Sequence, residues 1–344
     1  MARMKGEQTT TERKPQRVTM ETVGKIAGVS QVTVSRALSD PSKVSAKTLA
    51  RIQDAIEATG FVPNGVAGAL ASNKSKLITA LVPSLTNIVY SSMIQSFGRR
   101  MRDAGYQLLL SETGLDPREE DATIAAHLSR RPDAILLTGV HHSAQARRMV
   151  LAAGIPVVEI WEYSDTPIDM CVGFRHADTG HAAAEFAHRK GYARAATISA
   201  GDERARRRKA AFVDRLQALR PGAVPQIDFD THATLARGRE GLSQLLDGHG
   251  FDGGVIFCSS DILANGVLVE AQARGLRVPQ DIAVIGFGDQ DGAAHLEPPL
   301  TTIRVDREAF GRAAADILLD RFKTGEAAVP KVDLGFELIA RGSA

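Results

Sequence analysis

A chain of 344 residues that is 44% hydrophobic and 24% charged has the composition of a soluble globular protein of two or three domains, not of a disordered chain. No apolar run approaches the ~18 residues a membrane span needs, and no h-region follows the basic N-terminus. Two cysteines, Cys171 and Cys258, make neither a disulfide framework nor a four-ligand zinc site, so a cytoplasmic protein is expected. The net charge of +2 hides an asymmetry. Residues 1–76 hold 12 Lys+Arg against 6 Asp+Glu, which is the pattern of a basic segment that meets a polyanion.

Residues 1–17 carry almost no apolar side chains and are expected to form a disordered basic tail. Three short helices follow. Thr19 caps the first, whose apolar positions are Val23, Ile26 and Ala27, and Gly28 stops it. Ser30 caps the second, which runs through Val34 to Leu38 and ends at the DPSKV turn. Ser45 caps the third, with Leu49, Ile52 and Ile56 on one face. GVAGALASNKSK then reads as a linker or a marginal helix. The first two helices and their glycine turn, TMETVGKIAGVSQVTVSRAL, have helix-turn-helix spacing, in which the second helix enters a major groove. Gln31, Val32 and Thr33 would meet base edges, with Ser35 and Arg36 one turn on. Gln pairs bidentately with adenine, Arg with guanine, and Val contacts a thymine methyl. On spacing alone, a helical hairpin packed on its own domain stays open.

Beyond Leu77, short apolar runs (LITALVP, YQLLLSE, DAILLTG, IPVVEIW, ARAATISA, GGVIFCSS, DIAVIGFG) alternate with amphipathic stretches. Such runs are strands buried on both faces of parallel sheets. Their number over about 260 residues predicts two doubly wound α/β lobes behind the all-α N-terminal segment.

An enzyme is disfavoured. No GxGxxG opens the first βα unit, and neither GxxxxGK[ST] nor GxSxG occurs. No catalytic residue, cofactor or metal is therefore expected. His141 and His142 are adjacent, which is the wrong spacing for ligands on one helical face.

The stretch AGVSQVTVSRALSDPSKVSAKTLARIQDAIEATGFVPNGVAGALAS resembles the DNA-binding headpiece and hinge of the lactose-repressor (LacI) family of bacterial regulators. AGIPVV, the SSD run after GGVIF, GLRVPQDIAVIGFGD and EPPLTTIRVD agree. The resemblance implies a headpiece over 18–63, a hinge over 64–76 and an effector-binding, dimerising core over 77–344. The core's N-lobe would take about 77–174 and 304–331, and its C-lobe about 175–303 and 332–340. It also implies a homodimer on a pseudo-palindromic DNA operator, with no membrane partner. No leucine heptad follows LGFELIARGSA, so a tetramerising tail is not expected. Besides the recognition helix, Thr19, Ser30, Asn64 and Lys74 fall at DNA contacts. Leu70 falls where a family leucine wedges into the minor groove, with Ala67 one turn earlier. Gly65 and Gly68 each weaken that hinge helix by about 1 kcal/mol relative to Ala.

LVPSLTN, IDMCVGF, GDERARRRKAAF, TTIRVDRE and VDLGFEL look most like the gluconate-type repressors of sugar-acid metabolism. The family's core resembles periplasmic sugar-binding proteins, with ligand held between lobes at strand C-terminal ends. Carried over position by position, the implied effector contacts are Ser84, Tyr90, Thr138, Trp161, Arg208, Ser260, Asp261, Asp289 and Arg307. Trp161 stands where many members have Asp, Ser260 replaces an Asn, and Gly288 replaces a frequent acidic residue. The loss of acidic groups and the presence of Arg208 and Arg307 suit an anion, because Arg offers a bidentate fork to a carboxylate. Gluconate, 2-ketogluconate and 6-phosphogluconate are the expected effectors, with a neutral sugar or a co-repressing ligand as alternatives. Arg204, Arg206, Arg207 and Lys209 read mainly as a solvated face. Arg207 or His142 is placed at the rim for a second anion, and Glu159 and Glu162 as partners of cleft arginines or of a cation.

Overall fold

The computed structural model describes residues 18–65, 68, 74–114 and 116–344. The chain divides into two compact units, with the boundary between Ser75 and Lys76. The first holds α1 (Met20–Ala27), α2 (Gln31–Ser39) and α3 (Ala46–Thr59). The caps are those the residue types dictate. Thr19, Ser30 and Ser45 accept from the backbone N–H three residues on, which satisfies one of each helix's orphan donors. Gly28 and Gly60 end α1 and α3 in the left-handed region, at φ 62° and 61°. The core is Val23, Ala27, Val34, Ala37, Ile52, Ala55 and Phe61. Ile26 departs from the sequence expectation, being 57% exposed. The seam of α1 runs through Val23, Gly24 and Ala27, and it is close: a Cβ on Gly24 would lie 2.8 Å from the Val29 carbonyl oxygen. This leaves no room on that side for a fourth apolar side chain.

The second unit contains two six-stranded sheets. The first lobe has strand order β11-β5-β4-β3-β1-β2, all parallel. Its strands are β1 (Leu77–Val82), β2 (Gln107–Glu112), β3 (Ala134–Thr138), β4 (Val157–Ile160), β5 (Met170–Gly173) and β11 (Lys331–Asp333). Helices α4 (Ile88–Asp103), α5 (Pro117–Leu128), α6 (Ala144–Ala153) and α11 (Arg307–Thr324) flank it. The second lobe has order β12-β10-β9-β8-β6-β7, parallel except for β12 against β10. It contains β6 (Ala195–Ala200), β7 (Gln226–Phe229), β8 (Gly254–Cys258), β9 (Ile282–Phe287), β10 (Thr301–Arg304) and β12 (Glu337–Ile339), with α7 (His176–Arg189), α8 (Glu203–Leu219), α9 (Leu235–Ser243) and α10 (Asp261–Ala273). The seven apolar runs are all strands. Those at the sheet centres are wholly buried, as β3, β6 and β9 show, because helices cover both faces. The chain passes between lobes after β5, after β10 and after β11. Its last residues return to the second lobe, where the Ser343 hydroxyl donates to the Val284 carbonyl at 2.6 Å. All the strands that end at the cleft present their C-terminal ends to it, and this is where a ligand site is expected.

Candidate functional site

On α2 the exposed side chains are Gln31, Val32, Ser35 and Arg36, followed by Leu38 and Ser39 at its end, with Val32 65% exposed, while Val34 and Ala37 are buried. One face thus holds the helix in the unit and the other carries a bidentate amide, a methyl pair, a hydroxyl and a guanidinium. Thr33 is half-buried, and its hydroxyl meets Ser30 Oγ at 2.9 Å. The hydroxyls of Thr19 and Thr22 pair in the same way at 3.2 Å. Of the expected DNA contacts, Thr19 and Ser30 therefore use their hydroxyls first to cap helices, and the Thr33 hydroxyl is held against the Ser30 cap. Asn64 and Lys74 are exposed. Ala67 and Leu70 lie outside the described residues.

Between the lobes lies a cleft of about 700 Å³, counting its solvent-open part. Ser84, Asn87, Tyr90 and Trp161 line it from the first lobe, and Asp202, Arg208, His232, Ser260, Phe287 and Gln290 from the second. Five expected contacts, Ser84, Tyr90, Trp161, Arg208 and Ser260, are brought together here. Tyr90 and Trp161 are 5% and 2% exposed, with ring centroids 6.2 Å apart in an edge-on arrangement. Trp161 has φ 79°, a left-handed conformation that a bulky side chain adopts only when its surroundings impose it. Phe174 and Phe310 pack on its ring, and its backbone N–H donates to Val172 O at 2.9 Å.

Arg208 is the arginine of the lining and is 5% exposed. Its Nη2 donates to the Ser259 carbonyl at 2.8 Å and its Nη1 to His176 Nδ1 at 2.9 Å, while its guanidinium lies 3.8 Å from the Phe287 ring centroid. Its Nε has no hydrogen-bond partner, and it makes no ion pair among the described residues. Burial pulls its pKa down to about 10, against the opposing pull of Asp202 and Tyr90. Burial, and then the Arg208 charge, hold His176 well below its ordinary pKa. The ring is thus neutral, accepting at Nδ1 and donating from Nε2 to Trp161 O at 3.1 Å. A hydrogen-bonded chain therefore runs from the cleft arginine to the backbone of the cleft tryptophan.

The remaining expected contacts do not line the cleft. Thr138 gives its hydroxyl to Leu81 O at 2.8 Å. Asp261 is fully buried and accepts from Thr302 Oγ1 at 2.5 Å and Gln290 N at 2.8 Å. Burial raises its pKa to about 6 against those bonds. Asp289 is held by Arg304 at 2.6 Å and Arg341 at 2.7 Å, and Arg307 by Asp291 at 3.3 Å. Bonds within the protein thus occupy the groups of Thr138, Asp261 and Asp289 that were expected to meet ligand, whereas Arg307 keeps Nη1 buried without a hydrogen-bond partner.

The basic helix face also differs from expectation. Arg204 is only 11% exposed in its side chain, Arg207 pairs with Glu162, and Lys209 pairs with Asp228 at 2.7 Å. Arg206 alone of the four is half solvated, beside Glu203. His142 is not at the rim: its side chain is 1% exposed, between Glu120 and Glu159. Sequence reasoning did not single out the lining residues Asn87, Asp202, His232 and Gln290 or the supporting His176, and it read the largely buried Arg204 as solvated.

Residues 19–64 match the family described as bacterial regulatory proteins, lacI family, and residues 184–344 match a periplasmic binding protein-like domain. The HTH-type transcriptional regulator GntR of Pseudomonas aeruginosa is 38% identical over 331 residues, covering 95% of this chain and 96% of that protein. Its namesake in Escherichia coli K12 is 32% identical over 339 residues, covering 96% and 99%. Among solved structures, a LacI-family transcriptional regulator from Silicibacter pomeroyi matches with TM-score 0.89 at 31% identity, covering 95% of this chain and 99% of that one. The lac repressor dimer bound to operator and the anti-inducer ONPF matches with TM-score 0.82 at 25% identity, covering 95% and 99%. These relatives are regulators rather than enzymes. Among the described residues no helix is long and apolar enough to cross a membrane. A headpiece with an open recognition helix, a two-lobed core with a ligand cleft, and relatives of more than 30% identity over nearly the whole length lead to one conclusion: the chain belongs to the lacI family of bacterial regulatory proteins and is a DNA-binding transcriptional regulator.

Proposed function

We propose that this regulator is a cytoplasmic, homodimeric repressor, released from a pseudo-palindromic operator by a small sugar acid of the gluconate type. The observation that carries the effector class is Arg208. It is a guanidinium buried in the cleft lining without an ion-pair partner and with an idle Nε–H. A carboxylate would supply both the missing charge and the missing acceptor. Tyr90 and Trp161 offer flat faces for a carbon chain, and Ser84 and Ser260 offer hydroxyl partners. The resemblance to gluconate-type repressors, and two relatives named GntR, support the same choice. Effector bound in the closed cleft would shift the lobes at the dimer interface and misplace the hinges, lowering operator affinity. A neutral sugar is the second reading, favoured by Asp202 in the lining, since a carboxylate accepts from hydroxyls. Calorimetric titration of the full-length protein with gluconate, 2-ketogluconate, 6-phosphogluconate and glucose decides between them. Heat from glucose alone would sink the anionic reading. The same ligands added to operator-bound protein in a band-shift assay distinguish induction from co-repression.

Two predictions concern DNA. Arg36→Ala should relax base preference at one operator position by about 1–3 kcal/mol. Lys74→Ala should instead weaken binding to every sequence and flatten the salt slope by about one unit. Selection of bound sequences from a random pool checks the first, and unchanged preference in Arg36→Ala would remove it from base readout. Leu70→Ala should leave the fold and effector affinity intact and lose most operator affinity, because no wedge holds the minor groove open. Parent-like operator binding by that variant would reduce the hinge to a tether.

A further inference from the structure

Arg204 stands one helical turn before Arg208 on α8, in the second lobe, and reaches into the first. Its Nη2 donates to the Tyr90 hydroxyl at 3.2 Å and its Nη1 to the Thr138 carbonyl at 3.3 Å. The guanidinium carbon lies 5.8 Å from the Tyr90 ring centroid, with Asp202 at 3.9 Å behind it. Gly139 clears the path: a Cβ there would lie 2.7 Å from Arg204 Nη1. Arg207, on the same helix, crosses as well and pairs with Glu162 on the loop after β4. Arg204 itself is not among the residues lining the cleft, whereas Tyr90 is.

We propose that Arg204 is a positioning residue: it fixes Tyr90 in the cleft wall and ties the two lobes on that side, so that effector affinity depends on a side chain that does not touch effector. The physical case is one of bond strength. Hydrogen bonds from a charged donor are about twice as strong as neutral ones, and here they are made with little solvent competing. Loss of Arg204 frees both the Tyr90 hydroxyl and the Thr138 carbonyl, each on a different element of the first lobe. This inference rests on the effector role proposed for the cleft, but it has a readout that needs no effector.

That readout is built into the chain. Trp161 is its one tryptophan, it lines the cleft, and it is 2% exposed beside Tyr90. Full-length Arg204→Ala, without ligand, should show red-shifted tryptophan emission and increased acrylamide quenching relative to the parent. Tyr90→Phe, which keeps the ring and removes the hydroxyl, should move both signals the same way by less. Arg204→Lys, unable to reach both acceptors, should fall between Arg204→Ala and the parent. In calorimetry Arg204→Ala should bind gluconate about tenfold more weakly or worse, the loss expected for charge-assisted bonds. Adding Tyr90→Phe to it should cost little more. Parent-like emission and quenching in folded Arg204→Ala would overturn the proposal. Should that variant fail to fold, Tyr90→Phe carries the test, and an unchanged Trp161 signal there overturns it equally. Altered Trp161 signals combined with no gluconate heat from the parent would uphold the positioning role and reject the effector reading instead.

Discussion

Full-length protein carrying Arg208→Ala should bind gluconate more weakly than the parent by about 2–5 kcal/mol, the cost of removing one partner of a desolvated charge pair. This corresponds to a loss of more than about 30-fold in affinity. The size follows from where the charge sits. Arg208 is 5% exposed, is anchored by Ser259 O and His176, and has an unused Nε, so nothing else in the lining takes over its role. Arg208→Lys should recover little. An ammonium keeps the charge, but it has no planar fork to hold Ser259 O, His176 and a carboxylate together. Thr138→Ala makes the contrast. Its hydroxyl serves Leu81 O, so its loss should cost about 0.5–1.5 kcal/mol of stability and change effector affinity far less. Operator binding without ligand should survive Arg208→Ala, since the headpiece is a separate compact unit. Calorimetry on the three proteins, with a band-shift assay in parallel, is the measurement. Parent-like gluconate affinity in Arg208→Ala would remove the arginine from the effector site.

What could be read in advance follows the range of the forces involved. Thr19, Ser30, Ser45 and Gly28 act within three residues of themselves, so the helix ends were legible. The central strands were legible because burial on both faces writes a continuous apolar run. β7 was not, because it is an edge strand of four residues with alternating burial. The three-residue β11 and β12 take their pairing from strands more than 30 residues away in sequence, which local pattern does not encode. The cleft shows the same division. Ser260 lines it and Asp261 does not, because one step along a helix start turns the side chain through ~100°, here into Thr302 and the Gln290 N–H. Arg204 was available to sequence reasoning, since it lies four residues before Arg208 and so shares its face. The Asp202 cap on α8 was equally readable. His176 was not, because its role exists only once Arg208 and Trp161 O converge on its two nitrogens.

Stability of the core should fall as pH rises from about 6.5 to about 9, and His142 should be the cause. Its side chain is 1% exposed. Nδ1 faces Glu120 Oε1 at 2.9 Å, and Nε2 faces the Gly139 carbonyl at 3.2 Å and Glu159 Oε1 at 3.5 Å. All three facing oxygens can only accept, and a neutral imidazole donates from only one nitrogen, so this geometry calls for the imidazolium. The neighbouring Asp121 is already engaged by the Ser143 hydroxyl at 2.6 Å, and His141 faces Glu162. Burial disfavours the charged ring, but the bonds and charges of Glu120 and Glu159 outweigh it and raise the pKa from 6.5 to about 9. The sign follows from linkage. The folded chain holds this proton more tightly than the unfolded one, so the stabilisation is complete below about pH 6.5. It is lost as pH climbs through about 9, and amounts to about 3 kcal/mol. His142→Ala should cost about 3–5 kcal/mol at neutral pH, because it takes the cationic partner away from Glu159, which is fully buried with Oε1 lacking a hydrogen bond. Glu159→Gln added to His142→Ala should restore part of that loss by putting a neutral amide in place of the unpartnered carboxyl. Urea unfolding of the full-length protein at pH 6, 7.5 and 9, followed by Trp161 fluorescence so that the core alone is read, tests all three proteins. The parent should lose stability across that range, and His142→Ala should start lower and lose less. An equal alkaline loss in the parent and in His142→Ala would assign the titration to another group and leave His142 as a neutral packing residue.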